Sequence, residues 1–198
     1  MVLSTSSDGF TASTPIEALT DERASLLAVG MNGEALPIEH GYPVRMVVPG
    51  LYGYVSATKW VVDLEVTTFA DDVAYWTPRG WSERGPIKTA SRIDVPAASA
   101  EVEEGTVVVA GVAWAQQRGI SAVEVSVDMD GVWHPAELAE EPTIDSWRQW
   151  VFHWDAAPGK HTLTVRATDG DGELQVAESA PPAPDGATGL HTIYVQVG

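Results

Sequence analysis

Apolar positions in the second half of the chain recur at every second residue. In Val123-Glu124-Val125-Ser126-Val127-Asp128 the valines point one way and the polar residues the other, the pattern of a half-buried strand. Leu163-Thr164-Val165-Arg166-Ala167-Thr168 and Ile193-Tyr194-Val195-Gln196-Val197 read alike. Thr106 to Trp114 is more continuously apolar and predicts a strand covered on both faces. Between these runs lie Asp130-Gly131, Pro158-Gly159, Asp169-Gly170-Asp171-Gly172 and Asp185-Gly186, which accept the positive or fixed φ of tight turns. Short strands, frequent turns and no helical period predict an antiparallel sandwich of immunoglobulin-like type. Trp147, Trp150 and Trp154 could form a helical stripe, but Val151-Phe152-His153 between them favours a strand whose aromatics fill a core or a subunit interface.

The first half is less regular. Thr14-Pro15-Ile16-Glu17 has a threonine, a proline and an acid three residues on, which predicts the capped start of a short helix. Leu26 to Met31, Arg45 to Val48 and Trp60 to Phe69 read as strands, joined by long ordered loops rich in glycine and proline. A boundary is expected near Pro96, in Val95-Pro96-Ala97-Ala98-Ser99-Ala100, giving domains 1–95 and 96–198.

Of 198 residues, 44% are hydrophobic and 20% charged, enough apolar surface for a packed core. Net charge is −17, made of 11 basic and 28 acidic side chains, and the basic ones are scattered. Such a surface repels phosphate backbones, so nucleic-acid binding is not expected. The longest apolar or glycine run, Val107 to Ala115, is about half a membrane span. The absence of cysteine removes disulfides, thiolate metal ligands and cysteine nucleophiles from the chemistry of these 198 residues. Asp169-Gly170-Asp171-Gly172-Glu173 lacks the ligand spacing of a calcium loop and is read as a hairpin turn. Glu101, Glu103 and Glu104 are read as a solvated face, and His134, His153, His161 and His191 as surface or satisfied core residues.

One segment is specific. Met31-Asn32-Gly33-Glu34-Ala35-Leu36-Pro37 runs into His40-Gly41-Tyr42-Pro43-Val44-Arg45, Pro49-Gly50, Tyr52-Gly53-Tyr54 and Thr58-Lys59-Trp60. This resembles the molybdopterin-binding domain of the sulfite oxidase family. Gly111-Val112-Ala113-Trp114, Trp147-Arg148-Gln149-Trp150 and the Asp-Gly-rich ending resemble that family's dimerisation domain. The resemblance implies a mainly β chain, a partial α+β cofactor domain followed by an immunoglobulin-like (E-set) β-sandwich. It further implies a molybdopterin cofactor contacted by His40, Arg45 and Lys59, and by Thr58 through backbone or hydroxyl. A phosphate and a donor-rich ring system call for cations and oriented amides on rigid turns, which these residues with Gly50, Gly53 and the Ser56–Lys59 loop can supply. Arg79 and Trp81 would line the substrate funnel.

Departures from the family pattern shape the functional expectation. The family binds molybdenum through a cysteine thiolate, and this sequence has none. Trp76-Thr77-Pro78-Arg79-Gly80 is followed by Trp81 where sulfite oxidases carry a tyrosine, and Asp185 precedes Gly186 where they carry an arginine. An aspartate repels an oxyanion, and an indole cannot replace a phenol's acceptor oxygen; both argue against sulfite as substrate. The expectation is therefore the C-terminal part of a sulfite-oxidase-like oxidoreductase, inactive alone, acting on a small molecule in the complete protein. Its partner would be a second copy through the C-terminal domain or a separately encoded N-terminal half. Left without that half, the first domain should expose strand edges and apolar surface. The competing reading is a non-catalytic immunoglobulin-like module for self-association or binding.

Overall fold

The computed structural model describes residues 1–198 as two compact units. The first comprises Met1–Ile87 with Pro181–Gly186, and the second Lys88–Ala180 with Ala187–Gly198. The division thus falls earlier than Pro96, because residues Ala90–Val95 hydrogen-bond into the second unit's sheet.

In the first unit, β1 (Val2–Ser6) is the central strand of a three-stranded sheet, antiparallel to β2 (Thr11–Thr14) and to β7 (Val61–Val66). Helix α1 (Glu17–Thr20) is a single turn. Thr14 does not cap it: its hydroxyl donates to the Val55 carbonyl at 2.7 Å, and Ile16, in helical conformation, precedes the helix. Strand β3 (Leu26–Ala28) pairs with β6 (Arg45–Val47), and β4 (Gly30–Met31) with β5 (Glu34–Ala35) around the Asn32-Gly33 turn.

Hydroxyls make up a large share of the interior of this unit. Ser4, Ser6, Ser13, Thr14, Ser56 and Thr58 are buried, while the apolar cluster centres on Ala18, Met46 and Val48. Ser4 and Thr58 share a 2.7 Å hydrogen bond, and Ser56 Oγ donates to the Tyr52 carbonyl at 3.0 Å. A buried hydroxyl is tolerated when so bonded, and these bonds fix the Tyr52–Lys59 loop against β1. Strand β7 is one edge of the sheet, and Val62, Leu64 and Val66 on it are 64%, 42% and 72% exposed.

The second unit is a β-sandwich. One sheet has the order β13-β14-β10-β8, from β8 (Ala90–Val95), β10 (Gly105–Trp114), β13 (Glu137–Leu138) and β14 (Arg148–Ala156). The other has the order β12-β11-β15-β16-β9, from β9 (Glu101–Val102), β11 (Ile120–Val127), β12 (His134–Pro135), β15 (Gly159–Asp169) and β16 (His191–Val197). Ile93, Val109, Trp150 and Trp154 of the first sheet and Val123, Val125, Leu163, Val165 and Ile193 of the second form one core.

Two details depart from the sequence reading. Strand β10 is not covered on both faces: Val109 is fully buried while Val108 is 45% exposed. The sandwich is not wholly antiparallel, since β9 runs parallel to β16. The Asp169–Gly172 turn carries more than a change of direction. Asp169, 2% exposed, accepts hydrogen bonds from Arg118 Nε at 2.9 Å, Thr89 Oγ1 at 2.9 Å and the Glu173 N–H at 2.9 Å. No helix is long and apolar enough to cross a membrane.

His191 ties the sandwich to pH. Its Nδ1 accepts the Ile93 N–H at 3.0 Å, and burial, with Arg92 nearby, holds its pKa below the usual value. Stability from a depressed histidine is complete above an unfolded pKa of about 6.5 and is lost as pH falls through it. The melting-temperature advantage of wild type over His191→Asn should therefore shrink between pH 7 and pH 5. An advantage constant across that range would contradict the assignment. His161 works in the opposite sense: its bond to Asp128 at 2.8 Å and the Ala157 carbonyl raise its pKa. Its contribution is lost as pH rises through the raised value, and is common to both proteins in this comparison.

Candidate functional site

A cleft of about 380 Å³ opens in the first unit, lined by Ser6, Asp8, Phe10, Arg45, Gly53, Ala57, Lys59 and Trp60. Three stretches of chain converge on it. The β1–β2 turn brings Ser6, Asp8 and Phe10; β6 brings Arg45; the loop entering β7 brings Gly53 to Trp60.

The turn is set locally. Phe10 N–H donates to Asp8 Oδ1 at 3.1 Å, and Ser6 N–H to the Phe10 carbonyl at 2.8 Å. The Ser6 hydroxyl, the Phe10 N–H and, more weakly, the Lys59 charge hold the Asp8 carboxyl below the ordinary carboxylate range. Lys59 Nζ donates to the Glu39 carbonyl at 2.9 Å and lies 5.1 Å from the Trp60 ring centre, while Trp60 Nε1 donates to the Ile38 carbonyl at 2.7 Å. These bonds fasten the 3₁₀ turn Ile38–His40 to the Lys59–Trp60 segment.

Gly41 packs against the base of both cationic side chains. Its φ is +114°, and a Cβ there would lie 3.0 Å from Lys59 Cβ and 3.1 Å from Arg45 Cβ. Only glycine combines that conformation with that contact. Gly41→Ala should cost roughly 1–3 kcal/mol by thermal melting, from left-handed strain and displaced neighbours. Unchanged stability would show that the two side chains are not braced on Gly41.

The cleft has two marks of a ligand site. Arg45 Nε is buried with no hydrogen-bond partner in the protein, a donor whose desolvation is uncompensated until an acceptor arrives. Ala57 and Trp60, both in the lining, have φ of 60° and 51°, a left-handed backbone that side-chain-bearing residues adopt at a cost. An anion with several acceptor oxygens would answer the first.

The structure brings Arg45 and Lys59 together in this cleft. His40 is exposed and lies outside the lining, though its turn is bonded to Lys59. Thr58 is 1% exposed, with its hydroxyl bonded to Ser4 and its carbonyl accepting the Met46 N–H at 2.9 Å. Ser6, Asp8 and Phe10 escape the sequence reading; the only local signal is the Asp8-Gly9 turn pair, since Val2–Ser6 alternates in burial but not in residue type. Arg79 is exposed on a 3₁₀ turn (Thr77–Arg79), its guanidinium 3.7 Å from the Tyr75 ring centre and bonded to the Tyr75 carbonyl at 2.5 Å. Trp81 is half-buried, its ring 4.7 Å from that of Tyr54 and 5.9 Å from that of Trp76.

Comparison with known proteins finds similarity across the stretch that holds this cleft. The oxidoreductase molybdopterin binding domain matches residues 1–76, which contain Arg45, Lys59 and the whole cleft. Mitochondrial sulfite oxidase of Rattus norvegicus is 31% identical over 196 residues, covering 86% of this chain and 35% of that protein. Sulfite oxidase of Arabidopsis thaliana is 31% identical over 148 residues, covering 64% of this chain and 36% of that protein. The chain thus spans about a third of the length of these relatives. Among solved structures, the sulfane dehydrogenase SoxCD of Paracoccus pantotrophus superposes with a TM-score of 0.79 at 27% identity, over 98% of this chain and 54% of that one.

Proposed function

Because this chain belongs to the sulfite oxidase-like family of molybdopterin oxidoreductases, we propose that its first unit presents Arg45 and Lys59 to the phosphate end of a molybdopterin cofactor. The observation that carries this reading is the buried, unpartnered Arg45 Nε in a cleft shared with Lys59. When bound, such a cofactor supplies two-electron and oxygen-atom transfer. The residues of this chain bind and orient it. Arg45 offers a planar fork to phosphate oxygens and Lys59 a point charge. Thr58 acts as a positioning residue, its buried hydroxyl holding Lys59's loop to β1 through Ser4. His40 stands at the rim, on the turn that Lys59 fastens, and Arg79 and Trp81 belong to the substrate side.

The 198 residues contain no thiolate for the metal, so the chain alone does not turn over. Expression in a host that makes molybdopterin tests this. The purified chain should release fluorescent pterin on denaturation while carrying far less than one molybdenum per chain and showing no oxidoreductase activity. Stoichiometric molybdenum with turnover would overturn the inactivity, and no pterin at all would overturn the cofactor site.

The β7 edge with Val62, Leu64 and Val66 supports the need for a partner at the first unit. Self-association of the immunoglobulin-like sandwich is supported by Trp147, which is 52% exposed, stacked on Trp114 at 5.0 Å and near Arg92. Trp147→Ser should shift sedimentation from dimer toward monomer. Wild type already monomeric at micromolar concentration would contradict a homodimer.

A further inference from the structure

We propose that the second unit carries a binding site of its own, for a small molecule with a single carboxylate mounted on a flat ring, formed by Lys160, Tyr194, Ser99 and Thr162. These four residues line a cavity of about 510 Å³ where β15, β16 and the turn before β9 meet. The register of the antiparallel pair sets Thr162 opposite Tyr194 and Lys160 opposite Gln196, so these side chains project from one side of the sheet. The core takes the alternate positions Leu163, Ile193 and Val195 on the other side. Turn 97–100 closes the cavity. Ser99 N–H donates to the Tyr194 carbonyl at 2.7 Å, Ala100 N–H to the Ala97 carbonyl at 3.1 Å and Gln196 N–H to the Ala100 carbonyl at 2.9 Å. Ser99 is thereby held at φ 65° against the edge of the cavity.

Some of the lining is already occupied within the protein. The ring nitrogens of His161 are bonded to Asp128 Oδ2 and to the Ala157 carbonyl at 2.8 Å each, and Gln196 Nε2 donates to the carbonyls of Gly159 and Val197. Lys160 is different. The four arginines of this unit are engaged, Arg92 with Asp94, Arg118 with Asp169, Arg166 with Glu124, and Arg148 with the carbonyls of Ala139 and Ile120. The Lys160 ammonium has no hydrogen bond, ion pair or ring contact, and the hydroxyls of Ser99, Thr162 and Tyr194 have no partner in the protein. The Tyr194 ring is 66% exposed and stacks on nothing. Ammonium and hydroxyl donors answer a carboxylate, and the phenol offers its face to the ring behind it. Only one negative charge is matched. Glu101 stands opposite Gln196 on the parallel strand β9, and the net charge of −17 repels anything polyanionic. Asp128 is held by His161 and by the Thr162 N–H at 2.8 Å. The cavity lies wholly within the second unit, so it stands independently of the cofactor cleft.

The test titrates the whole ¹⁵N-labelled chain and follows its amide signals by NMR. Benzoate and glucuronate carry one carboxylate on an aromatic and on a saturated ring. At least one of them should shift the Ser99, Lys160, Thr162 and Tyr194 amides saturably, and the tighter of the two names the kind of ring. Acetate, which lacks the ring, and the uncharged counterparts benzyl alcohol and methyl glucoside should bind at least about tenfold more weakly. Lys160→Met should weaken the bound carboxylate at least about tenfold, while Lys160→Arg largely keeps it. Tyr194→Ala should weaken it as well, and Tyr194→Phe should retain most of the affinity. Both side chains are exposed, so all four variants should melt as wild type does. No saturable shift with either carboxylate would overturn the proposal. So would acetate or the uncharged counterpart binding as tightly as the carboxylate, or binding indifferent to Lys160→Met or to Tyr194→Ala.

Discussion

Replacing Arg45 and Lys59 together by methionine is expected to lower the affinity for a phosphorylated pterin by at least about a hundredfold, while the fold is kept. Each charge-assisted hydrogen bond to phosphate contributes about 1.5–3 kcal/mol, and about 1.4 kcal/mol is a factor of ten. Removing two such bonds therefore weakens binding by about two orders of magnitude or more. The fold should be spared because Arg45 Nε has no partner within the protein, so its removal takes away a desolvated donor and breaks no bond of that atom. Lys59 gives up its bond to the Glu39 carbonyl, worth about 1 kcal/mol. Affinity by calorimetry and melting by circular dichroism separate the two effects. A large drop in melting temperature would show that the pair is structural, and unchanged affinity would show that the cleft does not hold the phosphate.

Gly111→Ala should be the most damaging single substitution in the sandwich. Gly111 lies on β10 beside the register shift with β8, and a Cβ there would overlap the Arg92 carbonyl oxygen and stand 2.9 Å from the buried Trp150 ring. Neither neighbour can yield cheaply, since one is backbone and the other is locked in the core. A loss of about 3 kcal/mol or more is expected, seen as a fall in the denaturation midpoint of the second unit. Phosphate binding by the first unit should persist. A Gly111→Ala protein with wild-type stability would mean that β8 and β10 do not pack as described.

The sandwich was legible in the sequence because its strands alternate valine and leucine with polar residues around one apolar core, as in Val123, Val125, Leu163 and Val165. The first unit was not, because much of its interior is hydroxyl. Ser4, Ser13, Thr14 and Thr58 are buried, three of them through hydrogen bonds to distant backbone or side chains, and a hydrophobic period cannot register such a core. The same cause redirected Thr14, expected as a helix cap, to the Val55 carbonyl. Within the candidate site, the run from His40 to Lys59 pointed to a stretch of which Arg45 and Lys59 line the cleft. It could not separate Arg45 and Lys59, in the cleft, from His40, exposed outside its lining, because a 3₁₀ turn followed by Gly41 at positive φ decides which side chains face inward. Nor could it anticipate Ser6, Asp8 and Phe10, which reach the cleft through the pairing of β1 with β7.

Equilibrium dialysis of the intact chain against molybdopterin and its dephosphorylated form, read by the fluorescence of their oxidised derivatives, tests the cofactor cleft most directly. A cleft that holds phosphate through Arg45 and Lys59 should prefer the phosphorylated pterin by at least about tenfold, and the preference should vanish in the Arg45→Met, Lys59→Met double variant. Equal uptake of both pterins, or a preference that survives the double replacement, would contradict it.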